Sequence, residues 1–204
     1  PWPLILVVSM VVAAVCAALA LKPADGVRVL GALIAGGHAR RFGSDKAAAL
    51  LHGKPLINHV ADAMRAQVEA LVVVGRSWPG LAALADRPAG AMGPLAGLNA
   101  ALLHAREAGF DGVLTAGCDT LPIPSDMAAL LAGAEPAFLD GHYLLGWWPV
   151  HLANELDAHL ANGQDRSMRG WIALCNARVV PPPLMLNNLN TPADLAAYAR
   201  ITAS

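Results

Sequence analysis

Charge is scarce in this sequence. Asp, Glu, Lys and Arg make up 14% of its 204 residues, and the formal net charge at neutral pH is −1. No basic excess exists to gather nucleic acid or an anionic membrane, so binding has to come from local sites. Cysteine is scarcer still: Cys16, Cys118 and Cys175 lie far apart. They lack the paired spacing that a zinc site or a disulfide framework needs, which fits a reducing compartment. His151 and His159 share a predicted helix and read as packed or solvated side chains rather than metal ligands. Internal repeats and low-complexity linkers are absent. What is abundant is apolar surface, at 56% of residues, which excludes a disordered chain and suits one domain with a substantial core.

The apolar residues are unevenly spread. From Leu4 to Leu21 only Ser9 is polar, and no charge occurs before Lys22. As a helix this stretch would be roughly 27 Å long, near the thickness of a bilayer core. Lys22, Arg28, Arg40 and Arg41 follow it, so an anchor here would keep the body on the cytoplasmic side. Pro1-Trp2-Pro3 lacks the basic character of a signal peptide. That reading ranks below two others, a membrane anchor and a segment extraneous to the working domain. Residues 1–26 are set apart on either reading, and the folded domain is expected over 27–204.

Within that domain strands and helices alternate. Residues 27–35 form an apolar run closed by Gly36-Gly37, residues 71–75 a second, and residues 112–116 a third, each reading as a buried strand. Leu56, Ile57, Val60 and Met64 share one helical face after Pro55, and a further helix is expected over 95–108. This order predicts an α/β fold with a mostly parallel, doubly wound, Rossmann-like sheet and helices on both faces. Ligands of such sheets bind outside the carboxyl ends of the strands. Beyond Ser125 the pattern is less regular. It predicts a helix capped by Ser125-Asp126, strands at 137–139 and 143–149 around the turn Asp140-Gly141, helices at 152–161 and 167–174, a short strand at Val179-Val180, and a last helix capped by Thr191-Pro192.

Three stretches carry chemistry. The loop Ala35-Gly36-Gly37-His38-Ala39-Arg40-Arg41-Phe42-Gly43-Ser44-Asp45-Lys46 combines glycines, whose backbone N–H groups can nest an anion, with three basic side chains. It points to phosphate binding, yet it matches neither the P-loop nor the dinucleotide fingerprint. Asp119, in Gly117-Cys118-Asp119-Thr120, follows the third strand at the same sheet edge. Its hard oxygen suits Mg2+, which uses one or two carboxylates plus substrate phosphates, or else caps the turn before Pro122. Gly93 and Gly97 open a helix beside Asp86, where backbone can approach a base or sugar and a carboxylate can accept from its donors.

Taken in order, Ile34-Ala35-Gly36-Gly37, Arg41-Phe42-Gly43, Asp45-Lys46, Gly53-Lys54-Pro55-Leu56-Ile57, Gly93-Pro94-Leu95-Ala96-Gly97, Cys118-Asp119-Thr120 and Asn188-Leu189-Asn190-Thr191-Pro192 resemble the molybdenum cofactor guanylyltransferases of the nucleotidyltransferase superfamily. The resemblance implies transfer of GMP from GTP to molybdopterin with release of pyrophosphate, in the cytoplasm. It implies Mg2+ on Asp119, and phosphate contacts and catalysis from Arg41, Lys46 and Asp119. Ile34, Ala35, Gly36, Gly37, Asp86, Gly93 and Gly97 would complete the nucleotide site in a first lobe, 27–120. Arg166, Arg169, Trp171, Asn188 and Asn190 would serve the acceptor in a second lobe, 121–204. GTP and molybdopterin are the implied partners, with transient contact to proteins that handle the molybdenum cofactor, no nucleic acid, and the membrane only through 4–21. Gly75-Arg76 departs from the family, which often places a nucleotide-contacting Asn there, and Phe42 stands where Met is usual. Two alternatives remain: cytidylyl or other nucleotidyl transfer to a phosphorylated acceptor, and a membrane-tethered module that binds nucleotide without chemistry. Gly36-Gly37 favours guanine by resemblance.

Overall fold

The computed structural model describes residues 26–36, 45–90, 93–163 and 165–203. The apolar stretch 4–21 and the loop residues Gly37, Arg40, Arg41 and Phe42 lie outside the described residues.

The first strand, β1 (Val29–Ile34), is buried along almost its whole length and occupies the middle of the molecule. Successive side chains of a strand point to opposite faces. Val29 and Leu33 accordingly join one apolar cluster, and Leu30 and Ala32 join the other. A strand that buries both faces has to be apolar at every position, which is how β1 reads. Next come the small hairpin β2 (Leu50–Leu51) and β3 (Lys54–Pro55), helix α1 (Leu56–Arg65), β4 (Ala70–Val74) and β5 (Ala82–Leu84). The chain continues through α2 (Pro94–Glu107), β6 (Gly112–Gly117), β7 (Thr120–Leu121), α3 (Met127–Leu131), β8 (Ala137–Leu139) and β9 (His142–Pro149). It closes with α4 (Ala153–Ala161), α5 (Met168–Leu174), β10 (Arg178–Val180), β11 (Asn187–Asn188) and α6 (Pro192–Ile201).

The main sheet has the order β10-β8-β9-β6-β1-β4-β5. β1 pairs in parallel with both β4 and β6, and β5 and β10 add parallel edges. β9 alone runs antiparallel, against β6 and β8, because the turn at Asp140-Gly141 folds it straight back on β8. Helix α1 packs Leu56, Ile57, Val60 and Met64 on the face of Val29 and Leu33, whereas α2 and α4 cover the opposite face with Trp148 and Trp171. The expected mostly parallel sheet with helices on both faces is therefore what the chain forms.

The sequence reading missed three small pieces, β5, the β2–β3 hairpin and the β7–β11 pair. Each is two or three residues long, too short to show a period. β5 is moreover an edge strand whose Ala82 and Ala83 are exposed. Asp126 occupies the N-cap of α3 without bonding through its side chain. Thr191 caps α6 fully: its hydroxyl accepts from the Asp194 N–H, and the Asp194 carboxylate accepts in return from the Thr191 N–H.

Candidate active site

Parallel strands β1, β4 and β6 all end at one edge of the sheet, and the chemistry-bearing residues gather there. Beyond β1 the ladder continues one residue, with the Ala35 N–H donating to the Val74 carbonyl at 3.0 Å. Gly36 then lies against Gly75, which follows β4 with φ +83. A Cβ on Gly75 would stand 2.5 Å from the Gly36 Cα, so both positions require bare backbone.

Asp86 closes this cleft from the side. A Cβ on Gly36 would meet its Oδ2 at 3.0 Å, and one on Gly97 would meet its Oδ1 at 3.4 Å and the Ile34 side chain at 3.3 Å. The segment holding Asp86 is fixed to α2: the Arg87 N–H donates to the Ala96 carbonyl at 3.0 Å, and Asn99 Nδ2 donates to the Arg87 carbonyl at 3.2 Å. Burial pushes the Asp86 carboxyl above the usual carboxylate range. Among the described residues no side chain donates to it. Ile34, Gly36, Asp86 and Gly97 thus meet in a backbone-lined slot with one carboxylate against it, and Ala35 lies at the strand end beside it. Gly93 caps the start of α2 with φ +132, and a Cβ there would lie 3.8 Å from the Arg166 carbonyl.

A second cluster adjoins the end of β6. Asp45 caps a one-turn 3-10 helix, Lys46–Ala48, by accepting from the Ala47 N–H at 3.1 Å. Lys46 at its start sends Nζ to Asp119 Oδ2 and to Asn190 Oδ1, each at 3.0 Å. Residues expected separately from three distant stretches therefore meet on one ammonium group. Asp119 itself is 35% exposed at the side chain. Its carbonyl accepts from the Leu189 N–H at 2.7 Å, and the Thr120 hydroxyl next to it donates to Asn188 Oδ1 at 2.9 Å. The β7–β11 pairing is what brings the Asn188-Leu189-Asn190 strip to the carboxylate.

The family model for the MobA-like NTP transferase domain matches residues 31–179, which includes the slot, Lys46 and Asp119 but ends before Asn188 and Asn190. The chain belongs to this family. It is 37% identical over 182 residues to the molybdenum cofactor guanylyltransferase of Rhodobacter capsulatus, covering 83% of this chain and 94% of that one. To the protein of the same name from Cereibacter sphaeroides it is 38% identical over 186 residues, covering 83% and 95%. Among solved structures, molybdopterin-guanine dinucleotide biosynthesis protein A from Archaeoglobus fulgidus shares the fold, with a TM-score of 0.65 at 23% identity over 85% of this chain and 98% of that one.

This MobA-like chain is a nucleotidyltransferase, and its donor set can be tested for the divalent metal such enzymes use. Among the described residues no group of three or more His, Cys, Asp and Glu converges. A lone carboxylate suits a hard cation that keeps its water and takes further oxygens from phosphate. Asp119 meets that demand: a Cβ on Gly117 would stand 2.9 Å from its Oδ1, so the glycine leaves room at that oxygen. The residues fit the group.

Two of the residues expected to hold the acceptor part company. Arg169 is exposed and lies over the Tyr143 ring, 4.9 Å from its centroid. Trp171 is fully buried, in the core cluster of α2 and α4, with its ring 5.8 Å from that of His159. It offers no face for stacking a pterin, because a Trp on a short amphipathic helix is the first side chain that helix buries. His159 is the packed side chain expected, its Nε2 donating to the Asp165 carbonyl at 2.7 Å. Arg76, noted in the sequence only as a departure, stands at this same edge, paired with Asp45. Its position directly after β4 was the signal.

Proposed function

We propose that this enzyme transfers GMP from GTP to molybdopterin, releasing pyrophosphate and forming the guanine dinucleotide form of the cofactor. The observation that carries the reading is the convergence of Lys46, Asp119 and Asn190 beside the Asp86 slot, at the edge where a parallel sheet takes its ligand. Relatives that carry the guanylyltransferase name cover most of the chain.

The base belongs in the slot. Guanine presents two adjacent donors, N1–H and the 2-amino group, and a carboxylate accepts both in a two-pronged pair. Cytosine has no such pair of donors, so Asp86 favours guanine over the cytidylyl alternative. Gly36 and Gly97 let backbone approach the base and ribose, and Gly93 extends that surface. The triphosphate then runs toward Lys46. Arg41, four residues before Asp45 in the sequence and outside the described residues, is proposed as the second positive charge.

Little covalent chemistry is asked of the protein. The terminal phosphate of the acceptor is already an oxyanion at neutral pH and attacks the α-phosphorus of GTP, while the bond to the β-phosphate oxygen breaks. Catalysis is then positioning plus neutralisation of charge on the leaving pyrophosphate. Lys46, oriented by Asp119 and Asn190, supplies that charge. Mg2+ held by Asp119 would neutralise the phosphate oxygens and polarise the phosphorus under attack. Asn188 and Asn190 face the acceptor side, with exposed Arg169 available to an acceptor phosphate. A non-catalytic binding module has no use for an ammonium group held between a carboxylate and an amide. A cytoplasmic reaction is part of this proposal, and among the described residues no helix is long and apolar enough to cross a membrane.

Pyrophosphate release measured with GTP and with CTP, in the presence and absence of molybdopterin, tests the reading. Release is expected with GTP and acceptor together, and Lys46→Ala is expected to slow it by roughly 10²-fold or more with the fold intact. Preference for CTP, or full turnover by that variant, would overturn it.

A further inference from the structure

Arg76 has no part in the reading above, yet it is held from several sides. Its Nη1 donates to Asp45 Oδ1 at 2.8 Å and its Nη2 to Asp45 Oδ2, a two-pronged pair. The guanidinium lies over the Trp78 ring, 5.2 Å from the centroid. Trp78 is itself pinned, its Nε1 donating to Asn58 Oδ1 on α1 at 2.7 Å. A route of contacts therefore runs from α1 through Trp78 and Arg76 to Asp45.

Asp45 is where that route acquires meaning. The same Oδ1 that takes a prong of Arg76 accepts the Ala47 N–H at 3.1 Å and so caps the single turn that begins with Lys46. One turn of 3-10 helix has almost no stability of its own. Its direction is set by its cap, and the cap is set by Arg76. From that turn Lys46 reaches both Asp119 and Asn190 at 3.0 Å.

We infer that Arg76 is a positioning residue for the transfer reaction: through the Asp45 carboxylate it fixes the turn that aims the Lys46 ammonium group at the phosphates. The inference rests on the guanylyltransferase reading of the site. Both partners are partly exposed, 25% and 46% at the side chain, and a pair so placed adds little to folding stability. The effect belongs in turnover. A rival role is direct contact of the Arg76 guanidinium with a phosphate oxygen, since its Nε has no hydrogen-bond partner among the described residues.

The test is a set of full-length variants assayed for GTP- and molybdopterin-dependent pyrophosphate release. Arg76→Ala is expected to lower kcat roughly tenfold while the KM for GTP moves less than about threefold, because misplacing a charge-stabilising group costs most in the transition state. Arg76→Lys keeps the charge but not the fork, and is expected to recover only part of the loss. Asp45→Asn, which keeps the side chain's shape, is expected to reproduce the Arg76→Ala defect and keeps the inference testable should that variant fold poorly. In the Lys46→Ala background, Arg76→Ala is expected to cost almost nothing more, since residues acting as one unit are not additive. An additive loss in that double variant, or an Asp45→Asn enzyme with unchanged kcat, would overturn the inference in favour of direct contact or no role. The guanylyltransferase reading fails separately, by a wild-type enzyme inactive with GTP or a fully active Lys46→Ala.

Discussion

Asp86 is proposed to carry the base specificity of the slot, and its titration makes the proposal measurable. Only the ionised carboxylate accepts both guanine donors, and burial raises its pKa above the usual carboxylate range. GTP binding is then fully present well above that raised pKa and is lost as pH falls through it. The apparent KM for GTP is expected to climb on the acid side, earlier than an exposed Asp would cause, and Asp86→Asn is expected to raise KM roughly tenfold and flatten that limb. ITP lacks the 2-amino group, so the variant should discriminate less between GTP and ITP than wild type does. An Asp86→Asn enzyme that kept both its KM and its preference for GTP over ITP would remove Asp86 from base recognition. At this scale Lys46 and Asp119 were legible as charged side chains closely following glycines beyond buried strands, Asp86 as a carboxylate near Gly93, and Asn190 only through the family resemblance; Lys46, Asp119 and Asn190 meet in space. Trp171 misled because a planar ring suits a pterin and a core equally, and only burial tells them apart. Arg76 was overlooked because its partner, Asp45, lies 31 residues earlier in the sequence.

Helix α6 shows how an element far along the chain serves the same edge. The Asp194 carboxylate accepts from the Asn190 N–H at 3.0 Å and the Thr191 N–H at 2.8 Å, so the capping box holds the backbone of the residue whose side chain orients Lys46. Thr191→Ala removes the hydroxyl that accepts from the Asp194 N–H. It is expected to lower stability by about 1 kcal/mol in urea unfolding, while Thr191→Ser keeps most of it. Equal stability of the two variants would show that the cap contributes nothing. This helix start was readable in sequence because Thr-Pro with an acid at the third helical position is a signal local to a few residues. The buried strands β1, β4 and β6 were readable for a related reason, each being a run of Val, Leu, Ile and Ala closed by glycine. The pairing of β7 with β11 had no such signature. Two residues on each side, separated by most of the second half of the chain, are set by where β6 and α6 deliver them.

For the whole molecule, the question is where the working unit begins. Arg28 closes it on the side of residue 26. Its N–H donates to Asp111 Oδ2 at 2.7 Å, its guanidinium donates to Glu69 Oε1 at 2.8 Å and to the Gly109 carbonyl at 2.8 Å, and it lies over the Phe110 ring. These contacts tie the start of β1 to the turns leading into its two neighbours, β4 and β6. The ion pair is exposed on both sides and adds little by itself. The backbone bond and the register it sets are what matter, since a slip of one residue would exchange Leu30 and Leu33 between faces. The match to the family starts later still, at residue 31. Every described residue that bears on transfer, from Ile34 to Asn190, lies beyond this closure. A chain starting at Val27 is therefore expected to fold, to stay in solution without detergent, and to match the full chain within about twofold in kcat/KM for GTP, a difference below ~0.5 kcal/mol in transition-state stabilisation. Arg28→Ala in that shortened chain keeps the backbone bond to Asp111 and is expected to leave its urea unfolding midpoint little changed. A shortened chain that unfolds or loses turnover while Arg28 is intact would show that the apolar stretch before residue 26 belongs to the catalytic unit after all.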